Sequence, residues 1–128
     1  MDLKLHGVRG SIPVPSRKVL KYGGHTTCME ISSDTFQLII DLGSGFKNVE
    51  IKKNIPTFIV FSHFHHDHTQ GFPFNSAVYD KDIQFHISSA LLNRTEILRV
   101  LENCFSPPVF PLDILDNNIN FNIMNFDT

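Results

Sequence analysis

Four histidines and one aspartate occupy the six positions from 63 to 68, within the stretch FSHFHHDHTQGFPF. His63 and His65 lie two residues apart, directly after an apolar run that is typical of a buried strand. Because residues i and i+2 of a strand point to the same side, both imidazoles are expected to face one metal ion. Asp67 and His68 follow where the chain turns, and we expect them to face a second point close by. Neutral imidazole and carboxylate groups suit zinc, iron or manganese, so the pattern predicts metal binding.

The elements that must position this cluster follow from hydrophobic periodicity. Strands are predicted over residues 3–8, 26–32, 35–41, 57–62, 82–88 and 118–126. The second and third of these pair as a hairpin around Ser33 and Asp34, and the fourth leads directly into the histidines. An amphipathic pattern predicts a helix over 89–104, with Ser88 and Ser89 placed to cap its start. Strands mixed with helices in this order predict an α/β domain.

Composition narrows the class of protein. The 128 residues are 41% hydrophobic and carry a net charge of -2, which fits one soluble globular domain or part of one. The charge balance gives no basic footprint for nucleic acid. Cys28 and Cys104 are too few for a disulfide scaffold and are expected to be reduced thiols. Neither a signal peptide nor a membrane-spanning run is visible, so we expect a cytoplasmic protein.

The cluster and its flanks resemble the metallo-β-lactamase superfamily. FSHFHHDHTQGFPF is similar to the superfamily's H-x-H-x-D-H signature in the form followed by QG-x-PF. GVRGSIPVP and YGGHTTCMEI resemble the opening strands of a ribonuclease Z-like or cyclic-phosphate phosphodiesterase-like branch. LIIDLGSG resembles its first aspartate motif, and FSPPVFPL the loop after its first long helix. The signature is specific for the superfamily but not for a substrate, because the same metal cage hosts many reactions.

The resemblance implies a fold and a set of roles. The fold would be an α/β, metallo-β-lactamase-like αββα sandwich holding two divalent metal ions, zinc by expectation, with manganese or iron as alternatives. His63 and His65 would ligate the first ion, and Asp67 and His68 the second. Asp67 would also accept a proton from the attacking water, whose pKa the two ions lower. Asp41 would hold a ligand or the loop by hydrogen bonds, although its residue type alone equally fits a turn at a strand end.

The roles of several other residues each have two interpretations. His66 is expected to point away from the ions as an exposed spacer, with contact to solvent or phosphate as the alternative. His25 fits a loop histidine satisfied by backbone groups better than a residue that faces the site. Arg9 fits a surface arginine, although a guanidinium beside backbone N–H groups suits a phosphate. His6 and His86 lie in predicted strands and are interpreted as structural.

The superfamily's fold is assembled from two similar βα halves, and the second half would supply a further histidine for each metal and a bridging aspartate. Here only His86 follows His68. Residues 1–128 are therefore expected to form the first half of the domain, incomplete at its C-terminal end. The explanations are a fragment or truncated reading frame, a remainder that lies elsewhere, or a half-domain completed by a second copy.

Two functions follow from these expectations. The first is a metal-dependent hydrolase, a phosphodiesterase acting on a small-molecule or nucleotide phosphodiester. The alternative is a truncated, non-catalytic module that binds a metal or a partner. A purely structural protein is the weakest interpretation, because it leaves the histidine and aspartate cluster unexplained.

Overall fold

A computed structural model describes residues 1–116 and 120–127, and within them six strands form one sheet in chain order. The strands are β1 (Asp2–Gly7), β2 (Cys28–Ser32), β3 (Gln37–Ile40), β4 (Thr57–Phe61), β5 (Phe85–Ser89) and β6 (Phe121–Ile123). The α-helices are α1 (His66–Thr69) and α2 (Arg94–Cys104). Short 3₁₀ helices cover Arg17–Val19, Ser44–Asn48, Phe72–Phe74 and Ser76–Tyr79. The predicted α/β class is confirmed.

The sheet is mixed. The pairs β1–β2 and β2–β3 are antiparallel. The pairs β3–β4, β4–β5 and β5–β6 are parallel. The hairpin between β2 and β3 turns at Ser33, whose hydroxyl accepts the backbone N–H groups of Thr35 and Phe36 at 3.1 and 3.2 Å. Because β3, β4 and β5 are parallel, their carboxyl ends meet at one edge of the sheet. The residues that follow each of these strands are therefore brought together.

The strand predictions are confirmed in order, with two differences at the C-terminal side. Of the strand predicted over 118–126, residues 118 and 119 lie outside the described residues, and β6 is shorter than predicted. The predicted cap of α2 is wrong, because Ser88 and Ser89 belong to β5, whose pairing with β4 continues through Ser89. The helix begins later, at a capping box. Asn93 Oδ1 accepts the Glu96 N–H at 3.1 Å, and Glu96 Oε2 accepts the Asn93 N–H at 2.9 Å.

One face of the sheet carries the core. A row of isoleucines runs across its four parallel strands in register, at positions 39, 59, 87 and 123. These side chains form one buried cluster with Ile97 and Leu101 of α2 and with several phenylalanines. The alternation of strand residues thus buries one set of side chains beneath the helices.

The same face ends in a satisfied polar network near the edge strand β1. His6 Nε2 lies 2.7 Å from Glu30 Oε2, and Gln37 Nε2 donates to Glu30 Oε1 at 2.8 Å. Gln37 Oε1 in turn accepts the backbone N–H of Lys52 at 3.2 Å. Burial would raise the pKa of Glu30, but the hydrogen bonds from His6 and Gln37 outweigh it and lower that pKa. A nearly buried carboxylate is therefore kept ionised by its partners.

The other face of the sheet is apolar and only partly covered. Two rows in register cross β1 to β4, formed by Leu3, Ile31, Leu38 and Phe58 and by Leu5, Met29, Ile40 and Val60. Leu3 is 62% exposed and Leu5 59% exposed, and none of the other six is fully buried by the described residues. We call these eight side chains the open sheet face. Exposed apolar patches are typical of contact surfaces.

Two further expectations concern the cysteines and membrane-spanning segments. Cys28 and Cys104 are both free, as predicted. Among residues 1–116 and 120–127, none of the helices has the length and apolar character needed to cross a bilayer. The cytoplasmic location stays a prediction.

The difference in burial between two isoleucines predicts different losses of stability when each is replaced by alanine. Ile59 is fully buried, whereas Ile12 is 66% exposed. Ile59→Ala should lower the free energy of unfolding by about 2–5 kcal/mol, because it leaves a cavity in the core. Ile12→Ala, the matched control, should change it by no more than about 0.5 kcal/mol. Urea unfolding followed by circular dichroism measures both, and equal losses would show that the core lies elsewhere.

Candidate metal centre

The histidine cluster sits where β4 ends. The strand stops at Phe61, so His63 and His65 lie in the loop between β4 and the single turn of α1 rather than in the strand itself. His65 is the residue before α1, and the backbone N–H of His68 donates to its carbonyl at 2.9 Å. The short turn therefore folds Asp67 and His68 back towards the two earlier histidines.

The imidazole of His63 contacts two other imidazoles. The ring centroids of His63 and His65 lie 4.5 Å apart, and those of His63 and His68 lie 4.0 Å apart. The Nε2 atom of His68 lies 3.3 Å from Asp67 Oδ2. The structure thus brings together the four residues that the sequence singled out.

A buried carboxylate holds these imidazole rings in place through hydrogen bonds. Asp41 is 2% exposed and follows β3 directly. Its Oδ1 accepts the Ser62 N–H at 2.8 Å, and its Oδ2 accepts the Ser62 hydroxyl at 2.6 Å. The same Oδ2 lies 2.8 Å from His68 Nδ1. Asp41 therefore ties the ends of β3 and β4 to α1.

These hydrogen bonds assign the tautomers of two histidines. Since the Asp41 carboxylate only accepts, His68 Nδ1 must donate to it, which leaves a lone pair on Nε2 when the ring is neutral. The hydroxyl proton of Ser62 is given to Asp41, so Ser62 Oγ must accept from His63 Nδ1, 3.0 Å away. His63 Nε2 is then left with a lone pair as well. One carboxylate and one hydroxyl thus leave Nε2 of both imidazoles with a lone pair, which is the form in which imidazole binds metal ions.

Asp67 is held from the N-terminal part of the chain. The backbone N–H of Ser11 donates to Asp67 Oδ2 at 2.9 Å. This hydrogen bond holds the pKa of Asp67 below its usual value against the effect of burial, and positive charge on His68 and His63, when those rings are protonated, acts in the same direction as the hydrogen bond. Asp67 is therefore a carboxylate at neutral pH, able to ligate a cation or accept a proton.

Backbone strain is concentrated at this cluster. Among the described residues, Ser11 and Asp41 are the non-glycine residues with positive φ, at 69° and 60°. Each such residue costs on the order of 1–3 kcal/mol and persists where its surroundings fix it. Both donate or accept a hydrogen bond within the cluster. Strain gathered at one place is typical of a functional site.

The donor set fits a divalent metal ion. Imidazole nitrogens with free lone pairs and a carboxylate are the ligands that zinc, iron and manganese prefer. The lone pair of His68 Nε2 also faces the oxygen of Asp67 at 3.3 Å, an arrangement that a cation stabilises. Within residues 1–116 and 120–127, however, no group of three or more His, Cys, Asp or Glu side chains is arranged to hold a metal ion. The assignment of His63, His65, Asp67 and His68 as ligands stays a prediction.

The remaining candidates lie around the cluster. His66 is exposed, and His25 Nδ1 lies 3.0 Å from Ser44 Oγ, so its partner is a side chain rather than the backbone. His86 stacks on Phe58 with a centroid distance of 5.1 Å. Cys28 is fully buried, and burial raises the pKa of its thiol to about 12, as is typical of a structural thiol.

Sequence reasoning missed Ser11 and Ser62. Ser11 acts through its backbone N–H and lies 56 positions from Asp67, so its residue type carries no signal. Ser62 carries a weak one, since it directly precedes His63 at the end of a strand. Its role becomes visible only when Asp41 is placed beside it.

Comparison with known proteins supports the superfamily resemblance. No protein-family model matches the sequence. The chain is 37% identical over 79 residues to a ribonuclease Z of Clostridium kluyveri, a match that covers 57% of this chain and 23% of that protein. It is also similar to the crystal structure of the metallo-β-lactamase fold protein YhfI from Bacillus subtilis, with a TM-score of 0.60 and 16% identity. That match covers 97% of this chain and 44% of the other.

The chain therefore has the metallo-β-lactamase fold, as the sequence predicted. It spans less than half the length of the proteins that it matches. This agrees with the prediction that it holds part of the αββα sandwich.

The hydrogen-bond chain predicts the tautomers of His63 and His68. At a pH where the imidazoles are neutral, ring ¹⁵N chemical shifts of the chelator-treated protein should show the proton on Nδ1 in both. Ser62→Ala should return His63 to a mixture of tautomers, because its Nδ1 loses its acceptor, while His68 stays unchanged. Asp41→Asn should disturb both rings. Nε2-protonated rings in the unaltered protein would contradict the assignment.

Proposed function

We propose that this chain carries the metal-binding part of a metal-dependent hydrolase that cleaves a phosphodiester. The observation that carries the proposal is the contact of three imidazoles beside an ionised carboxylate, at the carboxyl edge of parallel strands. Ligands commonly bind at this edge in α/β folds. The similarity to a ribonuclease Z supports the substrate class, since the linkages of RNA are phosphodiesters.

Each side chain of the cluster has a proposed task. His63 and His65 hold one ion, and Asp67 and His68 hold a second. Bound there, two divalent ions, zinc in our proposal, supply positive charge and a water of lowered pKa. Asp41 fixes His68 directly and His63 through Ser62, so that both present Nε2.

Asp67 also serves as the proton acceptor in this proposal. Its carboxylate is ionised at neutral pH because the Ser11 N–H stabilises the charged form. The same hydrogen bond fixes the orientation of the carboxyl group, so one oxygen is directed at the N-terminal loop and at His68. A proton that leaves the attacking water then has an acceptor within the cluster.

The activity is tested on the metal-loaded protein with bis(p-nitrophenyl) phosphate. We expect hydrolysis that a chelator abolishes and that zinc restores. Asp67→Asn should lower the rate by about 10²–10⁴-fold, the usual contribution of a general acid or base. Asp34→Asn, an exposed aspartate in the β2–β3 turn, is the matched control and should keep the full rate. An unchanged rate for Asp67→Asn would show that its proposed role is wrong.

The alternative of a non-catalytic module makes a different prediction in the same experiment. Such a chain would bind zinc without turnover. The alternative is favoured by the ligand count, since zinc sites usually have at least three protein ligands and the cluster offers each ion two. Turnover by the metal-loaded protein decides for the hydrolase.

We further propose that a second layer of sheet covers the open sheet face, and that a second copy of the chain supplies it when the chain is alone. Its two apolar rows cross four strands in register, and Leu3 and Leu5 lie largely in water. Burial of apolar area stabilises such a contact by about 25 cal/mol per Å². The larger size of the matched metallo-β-lactamase fold protein is consistent with a further layer.

Sedimentation tests this contact. The 128-residue chain should sediment as a dimer at micromolar concentration, and Leu5→Lys should shift it to a monomer, because a charge would be buried at the contact. Leu91→Lys is the matched control, since Leu91 is 64% exposed but lies off the open sheet face. A monomeric, well-folded chain before any substitution would contradict the second copy as the occupant.

A further inference from the structure

A polar pocket of about 360 Å³ lies beside the metal centre, and the proposed function does not use it. Three cationic side chains line it, from Arg9, Lys18 and Lys21, together with Gly10 and Tyr22. None of the described aspartates and glutamates lines it. We call it the basic pocket. In a chain with a net charge of -2, three cations around one cavity form a local site for an anion.

Arg9 is fixed in place but has an unused donor. Its backbone N–H donates to the His25 carbonyl at 3.1 Å, and its carbonyl accepts the Thr27 hydroxyl at 3.3 Å. The side-chain Nε is buried and has no hydrogen-bond acceptor within the described part of the chain. A buried donor without an acceptor is costly, so the described residues do not fully satisfy the guanidinium of Arg9, the residue that lines the pocket.

The basic pocket shares a wall with the metal centre. Gly10 lines the pocket, and a Cβ placed on it would lie 4.0 Å from Asp67 Oδ2. The next residue, Ser11, donates its backbone N–H to that same oxygen. A ligand that extends from Asp67 past Gly10 would therefore approach Arg9, the neighbouring residue in the chain.

The two lysines and the tyrosine complete the pocket at its rim. Lys18 and Lys21 are exposed, so each side chain can turn towards a ligand. The Lys21 Nζ lies 5.0 Å from the ring centroid of Tyr22, which is itself 71% exposed. An exposed aromatic ring beside cations offers a stacking surface for a base next to a site for its phosphate.

We propose that the basic pocket binds a second phosphate of the substrate, next to the phosphodiester that is cleaved. This assignment rests on the proposed function, which it deepens: the substrate class becomes a nucleotide chain that carries a further phosphate. The guanidinium of Arg9 binds the phosphate oxygens through its fork of N–H donors, and the lysines add charge. Arg9 acts here as a specificity residue, not a catalytic one.

The first experiment measures binding without metal. The ¹⁵N-labelled, chelator-treated protein is titrated with inorganic phosphate. We expect saturable shifts at the backbone amides of Gly10, Lys18 and Tyr22. Arg9→Gln should weaken this binding by roughly tenfold or more, as the loss of a charge-assisted hydrogen bond implies. The same spectra report whether the variant is folded.

Matched variants make this result specific. Arg9→Lys keeps the charge but loses the fork, so it should bind with intermediate affinity. Arg99→Gln and Lys81→Gln remove exposed cations elsewhere and should leave the affinity unchanged. An equal loss for Arg9→Gln and Arg99→Gln, or shifts no larger at the pocket than near Lys81, would overturn the proposal.

The second experiment separates this proposal from the proposed function. The metal-loaded protein is given thymidine dinucleotides with and without a 5′-phosphate. We expect a lower KM for the phosphorylated one, and no such preference in Arg9→Gln. Hydrolysis of both at equal KM would contradict the phosphate site in the basic pocket but not the proposed hydrolase activity. Phosphate binding at the pocket without hydrolysis of either dinucleotide would contradict the hydrolase activity and the substrate assignment. It would still support the pocket as an anion site.

Discussion

The buried carboxylate of Asp41 is the constraint on which the cluster depends. A charge that is 2% exposed is tolerated only with hydrogen-bond donors around it, and here the donors are the backbone and hydroxyl of Ser62 and the Nδ1 of His68. Since each donor must stay in place to offset that burial, the loop after β4 has little freedom. The orientation of the imidazoles is therefore a consequence of satisfying one carboxylate.

Close backbone packing supports this constraint. The Leu42 N–H donates to the His68 carbonyl, and the Gly71 N–H donates to the Leu42 carbonyl, both at 2.8 Å. A Cβ on Gly71 would lie 1.9 Å from the Gly43 carbonyl oxygen, so the turn of α1 fits against the loop after β3 only if this position is glycine. The glycine of the QG pair that follows the histidine signature is thus a packing requirement of the cluster.

Local patterns predicted most of the fold, and tertiary contacts explain what they missed. The alternation of apolar and polar residues, together with short apolar runs, predicted β1 to β5, because burial along a strand has a two-residue period. The start of α2 was misplaced since β5 pairs with β4 through Ser89, which removes both serines from the helix. At the site, the residue types and their spacing predicted the cluster, whereas they did not decide between a turn residue and a hydrogen-bonding role for Asp41. The contribution of Ser11 required the fold, because a backbone N–H has no sequence signature.

The open sheet face and the ligand count lead to the same structural need. In the proposed site, four donors shared between two ions would give each ion two protein ligands, whereas zinc usually takes at least three. The open sheet face leaves two apolar rows of β1 to β4 partly in water, which is unfavourable for an isolated sheet. A second layer packed on that face would bury the rows, and loops from its strand ends could reach the carboxyl edge where the cluster lies. A layer that buries the rows without adding donors would leave the proposed metal centre at two ligands per ion, which separates a packing partner from a catalytic one.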